Sequence, residues 1–464
     1  MRASRFLTPR RERLARILAL AAWWGLVAHF AREVVRTRDA NGDHLTATVV
    51  LAYLAAWCPV LALSRWSPAG KLGRFAACTA SIAAGFAVVE APAALGRIDY
   101  REVFHTPTPP WKRSGNLADP DLLFARKPAQ RLTLRFQGSD LHGLRDAPAT
   151  TYACDTTLDA RGFRNPAGLD SAEVVLVGDS FVEGLQVADG DLVSARLAER
   201  IDAPVANLGR TGYGPRQELA VLERYAAGFG PRACVWFFYE GNDLQDLEAY
   251  EADRDRVRAL RPESFKRAWY ARSFARNAAG WLMRPGSRNG VPARERAGRL
   301  ADATPVYFSC GVHEGSPDAV ARRARPEALA KLRAVFDEAA AACRARGMDL
   351  TVAFVPAKFR VYRDLCRFDA ASPCPAWPVD DLPGIVGGVA RDAGVDFLDL
   401  TPTLKAAAKA GPLVYLPDDT HWSAEGHRVA AAAVAGRIGD RGRRDGRLTS
   451  AASRPPTGST ARRR

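Results

Sequence analysis

A serine directly follows a short apolar segment in the middle of the chain. Residues 174–178 (Val-Val-Leu-Val-Gly) are typical of a buried parallel strand. Asp179 and Ser180 come at its carboxyl end, where α/β proteins place their ligands. A serine hydroxyl is a poor nucleophile unless a base accepts its proton and hydrogen-bond donors stabilise the charge on the acyl oxygen. A catalytic role for Ser180 therefore requires these groups elsewhere in the sequence.

A glycine, an asparagine and a histidine near the ends of later apolar runs could supply these groups. Gly209 ends the run Ala-Pro-Val-Ala-Asn-Leu-Gly, and Asn242 follows the run Ala-Cys-Val-Trp-Phe-Phe-Tyr after Glu-Gly. The N–H of Gly209 and the amide of Asn242 would join the N–H of Ser180 around the oxyanion. His421 would accept the Ser180 proton during the attack and return it to the leaving alcohol.

The four segments resemble the blocks of the SGNH (GDSL-type) hydrolase superfamily in their order and in their spread over residues 174–427. The resemblance implies an α/β domain with a doubly wound parallel sheet of the SGNH/flavodoxin-like kind. It also implies Ser180 as nucleophile and His421 as general base. Ser180, Gly209 and Asn242 would then form the oxyanion hole.

Two aspartates precede the histidine, and either could orient its ring. The usual family spacing, with aspartate three residues before histidine, selects Asp418. The related alginate-type O-acetylation proteins carry Asp-Thr-His, which selects Asp419. The local sequence Asp-Thr-His-Trp is the closer match and favours Asp419. The second histidine of this region, His427, is interpreted as structural.

Further segments resemble parts of related bacterial proteins. Residues 162–165 (Gly-Phe-Arg-Asn) resemble a turn that precedes the nucleophile strand in membrane-anchored SGNH proteins. Residues 356–362 (Pro-Ala-Lys-Phe-Arg-Val-Tyr) resemble the Pro-x-Lys-x-x-x-Tyr segment of polysaccharide O-acetylation proteins. Glu240 departs from the family pattern, because it stands where the third block normally begins with glycine. No Gly-x-Ser-x-Gly, Walker or His-Glu-x-x-His sequence points to another enzyme class.

From residue 174 onwards, apolar runs alternate with segments of helical pattern. Strands are predicted at 174–178, 204–208, 233–239, 349–355 and 395–399, and helices at about 190–201, 216–228, 326–346, 382–393 and 423–437. This alternation predicts βαβ units in a parallel, doubly wound sheet. Residues 244–325 interrupt it with an Arg/Ala-rich helical insertion, which we expect to pack over the site as a lid or acceptor-binding cap.

Three apolar stretches near the start, 14–31, 45–64 and 75–95, each approach the length that spans a bilayer. They predict an N-terminal transmembrane helical anchor with about three spans. The predicted domains are the anchor (1–96), a loop-rich lead-in (97–170), an SGNH hydrolase-like domain with its insertion (171–438) and a basic disordered tail (439–464).

The net charge of +15 is concentrated at the two ends of the chain. Residues 1–16 contribute +5 and residues 437–464 contribute +7. A basic arm before an apolar helix is a topology signal, and a basic tail rich in Ser, Thr and Pro is typical of disorder. Nucleic acid is therefore not an expected partner. The positive-inside rule places the chain start in the cytoplasm and everything after about residue 97 outside it.

The eight cysteines are compatible with an extracytoplasmic location. Cys366 and Cys374 are the best disulfide candidates, and Cys154 and Cys310 could form a second pair. No Cys-x-x-Cys or Cys/His spacing indicates zinc. We expect neither a metal ion nor a cofactor.

The sequence therefore predicts a multi-pass protein of the inner membrane with a serine esterase domain in the periplasm. Its substrate would be an acylated glycan or lipid of the cell envelope. If a sugar hydroxyl replaces water, the same residues make a polysaccharide O-acyltransferase, which would need a membrane protein that supplies acyl groups. A catalytically idle scaffold or glycan-binding module is the third hypothesis.

Overall fold

The computed structural model describes residues 9–37, 43–106, 108–113, 115–137, 144–146, 150–260, 265–283, 291–308 and 325–444. The chain divides into two compact units. One unit comprises Met1–Pro109 with Leu260–Gly286, and the other comprises Pro110–Ala259 with Ser287–Arg464. Most of the predicted tail lies outside the described residues.

The helices are α1 (Pro9–Thr37), α2 (Asp43–Leu63), α3 (Pro68–Ala94), α4 (Tyr100–Val103), α5 (Ser180–Glu183), α6 (Val193–Ile201), α7 (Pro215–Tyr225), α8 (Asp243–Arg258), α9 (Phe265–Arg272), α10 (Phe274–Met283), α11 (Pro326–Ala345), α12 (Lys358–Tyr362), α13 (Leu382–Asp392), α14 (Thr401–Lys409) and α15 (Ala424–Arg444). The strands are β1 (Asn116–Asp119), β2 (Leu123–Arg126), β3 (Arg131–Gln137), β4 (Leu144–Arg145), β5 (Thr151–Thr157), β6 (Val174–Gly178), β7 (Val205–Gly209), β8 (Ala233–Tyr239), β9 (Val291–Pro292), β10 (Ala297–Arg299), β11 (Pro305–Tyr307), β12 (Asp349–Val355), β13 (Arg367–Phe368) and β14 (Asp396–Asp399).

The second unit is built on a five-stranded parallel sheet in the order β14-β12-β8-β6-β7. Counted along the chain, this is the 2-1-3-4-5 order of flavodoxin-like sheets, and its direction reverses between β6 and β8. Ligands bind at such a switch point, outside the carboxyl ends of the strands. Because β6 ends at Gly178, Ser180 lies at this position. The predicted α/β fold with a doubly wound parallel sheet is confirmed.

Apolar side chains cover both faces of this sheet, as a parallel sheet requires. Alternate residues of β6 point to different clusters: Val175 and Val177 to one, Val174 and Leu176 to the other. Helices α7, α8, α11 and α13 contribute to the first cluster, and α6, α14 and α15 to the second. The apolar run in the sequence is continuous because both faces of the strand are buried.

The lead-in contains more regular structure than the sequence predicts. Strands β1 and β2 form one antiparallel pair, and β3 and β5 form another. Along β5, exposed and buried residues alternate, with Tyr152, Cys154 and Thr156 buried. This two-residue period is weak in the sequence because a cysteine and a threonine stand at buried positions.

In the first unit, only one of the three predicted spans has the character of a membrane helix. Among the described residues, Pro68–Ala94 alone is long and apolar enough to cross a bilayer, and Ala47–Trp57 forms a shorter apolar helix. In α1, the stretch 17–31 without Arg or Glu is shorter than the roughly 20 residues that a span needs. The prediction of a multi-pass anchor is therefore not supported.

Part of the insertion belongs to this first unit. Helices α9 and α10 pack against α3, and α10 also packs against α2. Glu90 of α3 accepts hydrogen bonds from the Ser273 hydroxyl (2.9 Å) and from the backbone N–H groups of Phe274 (3.2 Å) and Ala275 (2.8 Å). The acidic residue near the end of the apolar helix therefore caps α10. The insertion is divided between the two units, and residues 309–324 lie outside the described part.

The cysteines do not follow the predicted pairing. No disulfide joins Cys366 and Cys374 in the described structure, so the predicted pairing is wrong. Cys154 is free and buried in the β3/β5 region. Its predicted partner, Cys310, lies outside the described residues.

Candidate active site

Ser180, His421 and Asp419 form a continuous chain of hydrogen bonds. The Oγ of Ser180 lies 2.8 Å from Nε2 of His421, and Nδ1 of His421 lies 2.6 Å from Oδ1 of Asp419. The Ser180 hydroxyl is also 3.5 Å from Oδ2 of Asp179, but at that length the interaction is weak. The shorter contact directs the hydroxyl proton to His421, which is the arrangement that a serine nucleophile needs.

Asp419 is the carboxylate at the histidine, and Asp418 points elsewhere. Asp418 accepts hydrogen bonds from the backbone N–H of Thr150 (2.9 Å) and the hydroxyl of Tyr152 (2.6 Å). It thus holds the start of β5 and makes no contact with the imidazole in the described structure. Of the two alternatives that the sequence left open, the geometry selects Asp419.

The environment of Asp419 favours its ionised form. Burial raises the pKa of this carboxyl, but the charge of His421 and the hydrogen bonds from it outweigh burial, so the pKa is lowered overall. An ionised Asp419 accepts a hydrogen bond from Nδ1–H and leaves Nε2 free to accept from Ser180. The sequence analysis missed Gln186, whose Nε2 lies 3.1 Å from Nδ1 of His421. No pattern in the sequence indicated this glutamine, because it comes from an irregular loop.

Gly209 does not occupy the role predicted for it. Its N–H donates to Oδ1 of Asn207 (2.9 Å), so this donor is already used. A Cβ at this position would lie 2.4 Å from Cβ of Val182 and 2.5 Å from the backbone N of Glu183. The glycine is therefore required for the close approach of β7 to the segment that carries the nucleophile.

The next free donor in this turn is Gly212. The N–H groups of Arg210 and Thr211 donate to the carbonyl of Gly178 (3.0 Å) and to Oε2 of Glu183 (2.8 Å). Gly212 is exposed, has a φ of 80°, and its N–H reaches no acceptor among the described residues. The sequence signal for this donor was the second glycine of Asn-Leu-Gly-Arg-Thr-Gly. Of the two glycines in that segment, only the second adopts a positive φ.

One amide hydrogen of Asn242 has no acceptor among the described residues. Its Nδ2 donates one hydrogen to Oδ2 of Asp246 at 2.6 Å, and an amide nitrogen carries two hydrogens. The other hydrogen remains available to a ligand. Asp246 lies one turn along α8, so its carboxylate fixes the orientation of the amide. Burial raises the pKa of Asp246 to about 7.

Residues before the nucleophile strand hold the loop that follows it. Arg164 is buried and donates to the carbonyls of Glu183, Gly184 and Val187 at 3.3, 2.5 and 2.8 Å. Asn165 exchanges two hydrogen bonds with the backbone of Asn207. The Gly-Phe-Arg-Asn segment thus ties the loop after α5 to β7.

His427 is buried and accepts the N–H of Val193 at Nδ1 (3.2 Å). Burial, together with the charges of Arg164 and His421, lowers its pKa to about 3, so the ring is neutral. It has no contact with Ser180, in keeping with the structural role predicted for it.

Among the residues that the structure describes, no three His, Cys, Asp or Glu side chains are arranged to hold a metal ion.

Comparisons with known proteins agree with the family resemblance. Residues 316–462 match a family model described as the SGNH hydrolase-like domain of the acetyltransferase AlgX. This region contains Asp419 and His421 but not Ser180. The chain is also 38% identical over 122 residues to the probable alginate O-acetylase AlgJ of Pseudomonas putida. That match covers 26% of this chain and only 29% of the relative's length.

Solved structures with a similar arrangement include a putative SGNH hydrolase from Slackia heliotrinireducens (TM-score 0.29, 13% identity, 58% of this chain and 99% of that chain). A lipase/acylhydrolase from Enterococcus faecalis is also similar (TM-score 0.30, 14% identity, 58% of this chain and 95% of that chain). Residues 316–462 are therefore similar to the SGNH hydrolase-like domain of the acetyltransferase AlgX, and 122 residues of the chain are similar to a probable alginate O-acetylase. These two sequence matches confirm the resemblance predicted from the motifs.

Proposed function

We propose that this protein is a serine-dependent acyl-transferring enzyme that acts on ester groups of envelope glycans or lipids through an acyl-serine intermediate. The observation that carries the proposal is the hydrogen-bond chain from Ser180 through His421 to Asp419. A scaffold has no chemical need for a serine hydroxyl placed 2.8 Å from an imidazole that an aspartate orients.

In the first half-reaction, Oγ of Ser180 attacks the ester carbonyl carbon while its proton passes to Nε2 of His421. The oxyanion is stabilised by the N–H of Ser180 and by the amide of Asn242. We assign the third donor to the N–H of Gly212, because the N–H of Gly209 is used. The tetrahedral intermediate then breaks its bond to the alcohol, which leaves with the proton from His421.

In the second half-reaction, a hydroxyl group attacks the acyl carbon and gives its proton to His421. The bond to Oγ of Ser180 breaks, and the serine recovers the proton. With water as the acceptor, the enzyme is an esterase. With a sugar hydroxyl as the acceptor, it is a polysaccharide O-acyltransferase.

The match to an acetyltransferase domain favours the transferase as the second candidate function. Alginate is the first acceptor to test, since the relative is named as a probable alginate O-acetylase. In that case a membrane protein that supplies acyl groups is the expected partner. Arg65, just before α3, and Lys71 and Arg74, in its first two turns, favour a topology with the catalytic domain outside the cytoplasm, anchored by that helix.

The test is mass spectrometry of the full chain in detergent after exposure to p-nitrophenyl acetate, with and without alginate. We expect an acetyl adduct on Ser180 that is absent from Ser180→Ala. An adduct that water removes within seconds indicates an esterase, whereas one that persists until alginate is added indicates a transferase. Equal behaviour of the wild type and Ser180→Ala with every activated ester would overturn the proposal in favour of a scaffold.

A matched pair of substitutions tests the choice of aspartate. Asp419→Asn should lower the rate of acyl-serine formation by about 10²–10⁴-fold, as expected when the imidazole loses its orienting carboxylate. Asp418→Asn removes a carboxylate one residue away that bonds Thr150 and Tyr152, and its rate should remain within a few-fold of the wild type. A reversed order would show that Asp418 serves the histidine in solution.

A further inference from the structure

The 356–362 segment, which directly follows β12, has no role in the chemistry described so far. Its alternate residues Lys358, Arg360 and Tyr362 are polar, yet all three are buried. Burying two cationic side chains in one turn is costly unless each meets partners that replace water. The partners of these side chains are therefore informative.

Lys358 contacts the loop that carries Asp419 and His421. Its Nζ donates to the backbone carbonyls of Pro417 (2.9 Å) and Asp419 (3.0 Å). The ammonium group also lies 5.8 Å from the ring centroid of Phe308. Its positive charge is one of the factors that lower the pKa of Asp419. The lysine thus fixes the backbone on both sides of Asp418 and favours the carboxylate form of Asp419.

Tyr362 meets the same loop at its beginning. Its hydroxyl oxygen accepts the N–H groups of Val414 (2.8 Å) and Tyr415 (3.4 Å). In return, the hydroxyl of Tyr415 donates to the carbonyl of Pro356 at 2.5 Å. Pro356, Lys358 and Tyr362 therefore bond the loop at successive points between residues 414 and 419.

Arg360 meets the other loop of the site. It donates to both carboxylate oxygens of Glu240, from Nε at 2.8 Å and from Nη2 at 2.7 Å. The N–H of Ala357 also donates to Glu240 (2.7 Å), and Asp380 accepts from the same guanidinium (2.7 Å). Glu240 begins the turn that presents Asn242. The residue that departs from the Gly-x-Asn-Asp pattern is thus the partner of Arg360.

We propose that Lys358, Arg360 and Tyr362 are positioning residues that set the loop of Asp419 and His421 and the turn of Asn242 relative to one another. One short helix bonds both segments, so a displacement of either segment requires breaking buried hydrogen bonds. This inference rests on the proposed function, because it assigns a role in aligning the acid, the base and the oxyanion donor. The Pro-x-Lys-x-x-x-Tyr pattern then acquires a physical reason: its lysine and tyrosine stand one helical turn apart, facing one loop.

The proposal is tested in the full chain by pre-steady-state acetylation of Ser180 with p-nitrophenyl acetate. Lys358→Met should lower the maximal acetylation rate by roughly 10- to 100-fold, with a KM change of less than three-fold, since misplacement of catalytic groups affects the chemical step. Lys358→Arg, which keeps the charge, should recover part of the rate. Lys405→Met removes a partly exposed lysine that pairs with Asp364, and it serves as the matched control with an unchanged rate.

The pH profile separates a positioning role from simple loss of stability. Without the ammonium group, the Asp419–His421 pair binds its proton more readily, so the acid limb of kcat/KM should move to higher pH by about half a unit. The charged and titratable groups that face the Asp419–His421 pair are Lys358, Tyr152, Asp179 and His427. Arg360, on the same helix as Lys358, is paired with Glu240 and Asp380. The thiol of Cys366 also lies near the ammonium group. Tyr362→Phe keeps every charge, so it should lower the rate without moving this limb.

The outcomes distinguish failure of this proposal from failure of the proposed function. A wild type without a Ser180 adduct refutes the function itself. A wild type that is acetylated, with Lys358→Met and Tyr362→Phe at the same rate and the same pH profile, refutes only the positioning role. An equal rate loss and an unshifted acid limb in Lys358→Met, Lys358→Arg and Lys405→Met would also refute it, because such a loss would not depend on contact with the loop.

Discussion

Two buried carboxyl groups flank the nucleophile, and their protonation equilibria shift in opposite directions. Asp179 directly precedes Ser180, and Glu183 follows it by three residues; both side chains are almost fully buried. Burial raises the pKa of Asp179 to about 6. Burial also acts to raise the pKa of Glu183, but the charges of Arg210 and Arg126 outweigh it and lower the value to about 2. Burial alone therefore does not decide the ionisation of an acid.

The difference lies in the neighbours. Glu183 accepts hydrogen bonds from Arg126 (3.0 Å), Arg210 (3.1 Å) and the N–H of Thr211 (2.8 Å). Asp179 has the N–H of Phe181 as a donor, and its carboxyl group affects the pKa of three other acids. Those acids are Glu218, Asp243 and Asp246. Glu183 is thus held ionised by two arginines. The acids around Asp179 instead raise one another's pKa, which favours their protonated forms.

Removing a cation from Glu183 should produce the largest effect on stability. Arg210→Met leaves the carboxylate with one arginine in a buried site and should lower the free energy of unfolding by about 3–5 kcal/mol. Urea unfolding at pH 7 measures this. The control is Arg131→Met, which breaks an exposed pair with Asp155 and should change little. A loss in Arg210→Met no larger than in the control would show that Glu183 is not held ionised.

Acid should remove the same stabilisation in the wild type. The pKa of Glu183 is lower in the folded state than its ordinary 4.5, so its contribution is complete above pH 4.5 and is lost as pH falls through 2. The shift of about 2.5 pH units corresponds to roughly 3 kcal/mol at 1.36 kcal/mol per unit. The stability difference between the wild type and Glu183→Gln should therefore shrink from pH 6 to pH 2.5. Parallel stability curves would contradict the assignment.

The contribution of Asp243 to stability should show the opposite pH dependence. Burial, followed by the charges of Glu218 and Asp179, raises the pKa of Asp243, so the stability that its proton provides is present in acid and is lost as pH rises. Asp243→Asn cannot ionise and should be more stable than the wild type at pH 9 by about 1–2 kcal/mol, with little difference at pH 3, below the ordinary pKa of 3.8. Asp253→Asn, a partly exposed position on the same helix, is the control. A gain in Asp253→Asn equal to that in Asp243→Asn would refute the interpretation.

The smallest effect is expected at Asp246, and it concerns activity. Asp246 has a pKa of about 7 and accepts a hydrogen bond from the amide of Asn242. Above pH 7 the bond is charge-assisted, whereas below it the carboxyl is protonated. Asp246→Asn should lower the acetylation rate about two- to five-fold at pH 8 and less at pH 6, which is the size of one modest hydrogen bond. The ratio of wild-type to variant rates cancels pH effects common to both; a ratio independent of pH would contradict the prediction.

The fold was largely predictable, because the strands of the central sheet are continuous apolar runs. Strands β6, β8 and β12 were predicted with their exact bounds, and β7 and β14 to within one residue. The lead-in was not predictable in the same way, since β3 and β5 are mixed apolar and polar strands that, among the described residues, pair only with each other. The location of α9 and α10 depends on Glu90, a single acidic residue whose partners lie more than 180 residues away.

By itself, the sequence determined the residue types of the candidate site, because a serine after an apolar strand and an Asp-Thr-His segment retain their chemistry wherever the chain places them. Only the tertiary structure decided between Asp418 and Asp419 and showed that the N–H of Gly209 is already used. It also showed that Glu240 bonds Arg360. Each of these outcomes depends on which side chains meet across loops far apart in the chain, and no local pattern specifies a distance between two loops.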